Sequence, residues 1–374
     1  MFEKEKLSPA QTIIQSVCHV KKNERVLIIS NPSLSEIAQN LYVAAREAGA
    51  EPVLIFQSTR TIMDNASVEV IAAIKTEPDV ILSVSEQKLG KDEMAIANPY
   101  IGENGEKYDS IFDYLLEGKK SIRAVWTPGL TPDMFERTVC IDYKELSSVC
   151  EKICKKYEGV EFVHVTSAGG TDVKVPVSGR KPFVDDGDFS VAGSGGNIPS
   201  GEVFISPVVG NGNLAEPVGT DGTIVFDGSM TFSDGDSLLE NPIKVDLKAG
   251  FITNITGEEE AKRLLKSINE AEKKSLEIEK EGKLPEGKGA VYARNARGIG
   301  ELGIGLNPAA IISGNMLEDE KAFRTCHFAI GMNYDGDAPC LIHLDGVVRN
   351  PTIVFHYKDG SSFTILQEGV LQKL

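Results

Sequence analysis

Along the first part of the chain the spacing of apolar residues switches back and forth, from the run "RVLIIS" to the spaced pattern of "SLSEIAQNLYVAAREAGA" and back to "PVLIF". A short unbroken apolar run is a strand covered on both faces, whereas apolar residues recurring every three or four positions form one stripe of a helix. The spaced stretch therefore predicts an amphipathic helix, and Gly49 marks its end. An earlier helix is expected at "SPAQTIIQSV", with Ser8 as N-cap and Pro9 at the first helical position. "VEVIAAIK", "DVILSV" and "IRAVW" continue the alternation. Residues 1–158 thus read as an α/β domain with a parallel sheet, closed by the helix "YKELSSVCEKICKKYEG" at or just before Gly159.

Beyond that helix the pattern changes. Residues 159–374 are short β-like runs broken by Gly, Asp, Asn and Pro, which predicts a β-rich α+β domain. One long charged helix, "GEEEAKRLLKSINEAEKKSLEIEKEG", interrupts it, and Leu264, Leu265, Ile268 and Ala271 mark the face expected on the core. The strand-like segments "ELGIGLN", "CHFAIGMNY", "CLIHLDGVV" and "PTIVFHYKDG" follow. A chain of 374 residues fits this division into two domains.

Composition narrows the class without naming a function. Hydrophobic residues at 41% and charged residues at 25% are ordinary for a soluble globular protein, and no apolar run approaches the roughly 18 residues that span a bilayer. The formal net charge of −16 argues against nucleic acid and anionic membrane partners, and it is compatible with a cationic substrate or with metal-binding carboxylates. "MFEKEKLSPAQ" lacks the basic start and apolar stretch of a secretory signal, so a cytoplasmic protein is expected. Six scattered cysteines suit reduced, mostly buried thiols better than a disulfide framework.

Two glycine-rich stretches resemble nucleotide loops only on the surface. "GIGELGIG" satisfies G-x-G-x-x-G through Gly298, Gly300 and Gly303, but the motif has physical meaning only where a helix N-terminus follows to receive pyrophosphate. Here it runs into "IGLNP", and "GSGGNIPSGEVFIS" runs into a strand. The glycines instead allow the backbone to crowd against something, and each stretch delivers one isolated carboxylate, Glu202 or Glu301, expected at the mouth of a strand.

Chemistry concentrates near the C-terminus. In "CLIHLDGVV" alternate side chains share a face, so His343 and Asp345 point the same way. The turn-rich "GMNYDGDAP" is able to return the chain antiparallel and bring His327 of "TCHFAIGMNY" beside them. Two histidines and a carboxylate are the ligands of a non-haem iron centre or, with added glutamates, of a two-metal hydrolase. "LEDEKAFRTCH" adds Glu318, Asp319 and Glu320 within reach of His327. His19, His164 and His356 read as structural residues.

Taken together, "NIPSGEVFISP", "GELGIG", "EDEKAFRTCHFAIGMNY" and "IHLDG" resemble the thermophilic metallo-aminopeptidase family of aminopeptidase T and aminopeptidase S. The resemblance implies that Glu202, Glu301, Glu320, His327, His343 and Asp345 hold two divalent ions (zinc, cobalt or manganese), with Glu301 bridging them. It also implies a peptide substrate, a homodimer and hydrolysis of N-terminal residues through a metal-activated water. Glu301 and Tyr334 are then the catalytic pair, Tyr334 donating to developing oxyanion charge. The spacing of Glu320 to His327 is longer than that family's pattern, the His327–His343 segment shorter, and the Glu202–Glu301 segment longer. The same superfamily is similar to 2,5-dihydroxypyridine dioxygenases, ring-cleaving enzymes with one Fe(II) on two histidines and an aspartate. His327, His343 and Asp345 alone would serve that chemistry, and the extra glutamates place the aminopeptidase reading first.

Overall fold

The computed structural model describes residues 7–61, 63–103 and 105–374, so most of the N-terminal segment read for export signals lies outside the described residues. Two compact units make up the chain. The first comprises Met1–Ser147 with Asp185–Ser200, and the second Ser148–Val184 with Gly201–Leu374.

The first unit is built on a five-stranded parallel sheet in the order Gly195–Asn197, Arg123–Trp126, Val80–Val84, Arg25–Ser30, Glu51–Phe56. The Val80–Val84 strand is buried at every position, which is why it reads as an unbroken apolar run. The Ser35–Glu47 helix joins two adjacent parallel strands and buries Ile37, Ala38, Leu41, Ala44 and Ala45; Gly49, at φ +83°, supplies the left-handed turn that ends it. Ser8 caps the first helix reciprocally with Gln11, and Pro9 occupies the first turn. Leu27, Ile29, Val70, Ile74, Ile81, Leu115, Ile122 and Ala124 form the core.

This division departs from a single cut between residues 158 and 159. The Tyr143–Lys156 helix straddles the boundary, and residues 185–200 return to the first unit, where Gly195–Asn197 pairs in parallel with Arg123–Trp126. A strand of sequence Gly-Gly-Asn has no hydrophobic signature, so only its long-range pairing reveals it.

The second unit holds two sheets. Eight strands run in the order Phe251–Thr256, Ile243–Lys248, Asp221–Phe226, Asp172–Pro176, Val160–Thr166, Thr352–Tyr357, Ser362–Gln367, Val370–Leu371. Seven strands run Gly235–Leu238, Ser229–Phe232, His343–Arg349, Thr325–Gly331, Ile299–Gly305, Glu202–Ile205, Phe183–Asp185. The β-rich character expected from the sequence is thus realised as two sheets, with the Glu259–Lys280 helix burying Leu264, Ile268 and Ala271. Leu265, also expected on that face, is 38% exposed. All six cysteines are free thiols, and no helix among the described residues is long and apolar enough to cross a membrane.

Candidate metal centre

Four adjacent strands of the seven-stranded sheet carry the polar cluster except Glu320, which caps the end of the short Met316–Asp319 helix. In the antiparallel register Glu301 lies opposite Ala329, and Ala329 opposite Asp345; one step along, Gly303 lies opposite His327 and Phe204 opposite Gly303. Paired residues share a face, so Glu301, His327, Asp345 and Phe204 all project to one side, joined by His343 two residues before Asp345. The small side chain of Ala329 leaves room for Glu301 and Asp345 to reach toward each other across it. The opposite face carries the buried Leu302, Ile304, Cys326, Phe328 and Ile330, which explains how both central strands can be buried at all seven positions and still hold charge.

Gly303 shows why the glycine pattern of "GIGELGIG" exists. A Cβ at this position would fall 2.1 Å from Cε1 and Nε2 of His327, so the imidazole lies directly over the glycine. The motif serves a histidine rather than a phosphate. Glu301 sits mid-strand, not at the mouth of the strand as expected, while Glu202 does open its strand.

All six residues named from the sequence as ligands come together. Glu202, Glu301 and His327 form one group, Glu301, His343 and Asp345 a second, and Glu320, His327 and Asp345 a third, each with donor atoms within 4.8 Å of one another. His327 Nε2 lies 2.9 Å from Glu301 Oε1 and 3.4 Å from Glu202 Oε2. His343 Nε2 lies 3.4 Å from both Glu301 Oε2 and Asp345 Oδ1. Its Nδ1–H donates to the Met332 carbonyl at 2.9 Å, so that when the ring loses its other proton the lone pair is on Nε2, facing the carboxylates. Glu318 and Asp319 do not join. Glu318 accepts from the Ile311 amide, and Asp319 from the Ser313 and Gly314 amides, so both fasten a loop.

Buried polar atoms normally have partners. Here Glu202 Oε2, Glu301 Oε2, Asp345 Oδ1 and His327 Nδ1 are buried without a hydrogen bond. Carboxylate oxygens left unsatisfied around two imidazoles fit a cation, and the donor set of nitrogen and oxygen suits a divalent transition metal. Electrostatics agree. Burial alone would lower the His327 pKa, but the Glu301 hydrogen bond and the charges of Glu202, Glu301 and Asp345 push it up to about 9. His343 is likewise raised well above its ordinary value against burial, chiefly by Asp345 and Glu301. Burial works to raise Glu301, yet its two histidine partners bring it down to about 2. Burial carries Glu202 up to about 8 against the pull of Lys321.

Lys321 and two of the rings beside the cluster, Phe204 and Phe183, escaped the sequence. Lys321, 0% exposed, places Nζ 2.7 Å from Glu202 Oε1 and in contact with Glu320 Oε1. Beside the cluster stands an aromatic wall: Tyr334 meets the His343 ring edge-on at 5.2 Å, Phe204 meets Tyr334 at 5.3 Å, and Phe183 stacks on Phe204 at 5.2 Å. Phe204 was within reach of strand alternation, two residues after Glu202 in "GEVF"; Phe183 and Lys321 carried no comparable signal. A cavity in the first unit, lined by Ser83, Ser85, Lys88, Asp92 and Trp126 among others, contains neither imidazole nor thiol.

The fold is shared with solved structures of both a dioxygenase and an aminopeptidase. A family model for 2,5-dihydroxypyridine 5,6-dioxygenase (NicX) matches residues 130–355, and the chain belongs to that family. The solved structure of 2,5-dihydroxypyridine dioxygenase from Pseudomonas putida KT2440 is similar at a TM-score of 0.67 and 16% identity, over 98% of this chain and 97% of that one. Wild-type AmpT from Thermus thermophilus is similar at 0.64 and 15% identity, over 98% of each chain. At such identities these likenesses establish the fold. No curated protein sequence matches. The family match favours the dioxygenase over the aminopeptidase that the glutamates had placed first.

Proposed function

We propose that the protein is a ring-cleaving dioxygenase holding one ferrous ion on His327, His343 and Asp345 and acting on a hydroxylated pyridine-type ring. The observation that carries this reading is the aromatic wall built directly onto the ligand set: the Tyr334 ring touches the edge of His343, and Phe204 and Phe183 extend it outward. Offset or edge-on contact with such rings suits a flat aromatic substrate and gives an extended peptide backbone no hydrogen bonds. Family membership supports the same conclusion.

Bound ferrous iron would supply the redox centre that lets dioxygen react with the ring. The chain's own residues do the rest. The Met332 carbonyl orients His343, and Gly303 gives His327 its position. Glu301 Oε2, buried without a hydrogen bond, is placed to accept a hydrogen bond from a ring hydroxyl. Desolvation of the Tyr334 phenol raises its pKa, with the Glu301, Asp345 and Glu320 charges adding to this against His343, so the hydroxyl stays a donor at neutral pH.

One observation favours a second reading. Glu301 turns one oxygen to each histidine, as a carboxylate bridging two ions would. The two readings part in a single assay. Protein loaded anaerobically with Fe(II) is offered 2,5-dihydroxypyridine in aerated buffer, and in parallel an aminoacyl-p-nitroanilide. The dioxygenase reading expects oxygen uptake matched to loss of the pyridine absorbance, abolished in His343→Ala. Release of nitroaniline without oxygen uptake would replace it with the aminopeptidase.

A further inference from the structure

We infer that Lys321 is a built-in cation that takes the place of a second metal ion, so that the six-residue cluster holds one divalent ion and the Glu202–Glu320 pole is closed to metals. The inference rests on the reading of the cluster as a metal centre and adds what sets its stoichiometry.

The ligand set by itself is large enough for two ions. Glu202, Glu301 and His327 form one three-donor group and Glu301, His343 and Asp345 another, sharing Glu301. Lys321 occupies the glutamate side of the first group, at Glu202 and Glu320, and leaves His327 to the ion held with His343 and Asp345. Its side chain is 0% exposed, and Nζ lies 2.7 Å from Glu202 Oε1 and against Glu320 Oε1. An ammonium with three N–H donors between two buried carboxylates gives them the charge and hydrogen bonds that a metal would otherwise supply.

A divalent ion at Glu202 needs an oxygen at roughly 2.0–2.2 Å. It would have to strip the ammonium from the carboxylate or sit beside a like charge in a site closed to screening water. Both Lys321 ion pairs lie on the glutamate side, at Glu202 and Glu320.

The lysine cannot easily swing away. Its carbonyl accepts from the Asn307 amide at 2.9 Å, and its amide donates to the Glu318 carbonyl at 3.0 Å. Gly305 lets the following peptide press close, because a Cβ there would fall 2.1 Å from the Ala322 carbonyl oxygen. Both the side chain and the backbone of Lys321 are therefore held over the acidic pole.

The test counts metal in the full-length protein. Wild type, Lys321→Met and Lys321→Gln are dialysed against excess Zn(II) or, anaerobically, Fe(II), desalted, and read by plasma mass spectrometry alongside circular dichroism. Wild type is expected to retain about one ion per chain. Folded Lys321→Met or Lys321→Gln is expected to retain about two, returning to one when Glu202→Gln is added. Two ions on wild type overturn the inference whether or not either variant folds, and so does one ion on a folded lysine variant. No ion on wild type removes the metal-centre reading and the inference together. One ion on wild type and two on the variant, with no oxygen uptake on any hydroxypyridine, would leave the inference standing and reject the proposed reaction.

Discussion

At the scale of single residues, the site depends on where side chains are absent as much as on where they are present. Gly303 lies under the His327 ring, and a methyl group there would occupy the space of Cε1 and Nε2. Gly303→Ala should therefore weaken metal binding by roughly 10–100-fold, the range seen when support of a ligand is lost. Circular dichroism should remain native while metal content falls; unchanged metal affinity would show that the His327 ring does not need this position. Protons compete for the same atoms. With the His327 pKa pushed up to about 9, its imidazole is protonated at neutral pH until metal displaces the proton. Metal affinity should rise from pH 6.5 to about 9, with proton release on binding measurable by calorimetry in buffers of different ionisation enthalpy. The metal-free protein should behave oppositely. A raised histidine pKa contributes stability that is full below its unfolded value and lost as pH rises through the folded one. Its melting temperature should fall across that window. Most of this chemistry was legible in "IHLDG" and "TCHFAIG", because alternation alone puts His343 and Asp345 together. Lys321 was not, since a lysine in the charged run "EDEK" looks solvated until the fold sets Glu202 beside it.

At the scale of elements, the hairpin of Thr325–Gly331 and His343–Arg349 makes the site. Its register pairs Gly331 with His343 and Ala329 with Asp345, the antiparallel return expected of "GMNYDGDAP". The far face of the same strands anchors it through Phe328, which is 0% exposed. Phe328→Ala should cost about 3–5 kcal/mol of stability, read by urea unfolding of the metal-free protein. A loss below about 1 kcal/mol would mean that the sheet is not held by this face. Helices and buried strands of the first unit were readable from period and caps. Glu301 was expected at a strand mouth because glycines suggested a loop; the glycines instead let strands and a histidine ring approach closely, and the strand runs through them. Glu318 and Asp319 looked equivalent to Glu320, and only the loop amides that they accept from separate them.

At the scale of the whole molecule, a parallel α/β unit and an antiparallel β unit divide the chain, and every residue of the cluster belongs to the second. The boundary was the least legible feature, since residues 185–200 leave the β-rich stretch to add a strand to the first sheet. Such long-range pairing has no local pattern to betray it. The central claim is that this centre adds dioxygen to an aromatic ring. The most direct measurement is mass spectrometry of the product formed from 2,5-dihydroxypyridine by Fe(II)-loaded protein under ¹⁸O₂. Both oxygen atoms of one dioxygen molecule are expected in the ring-opened product. A product labelled from H₂¹⁸O instead, with no label from dioxygen, would contradict the account and return the site to hydrolysis.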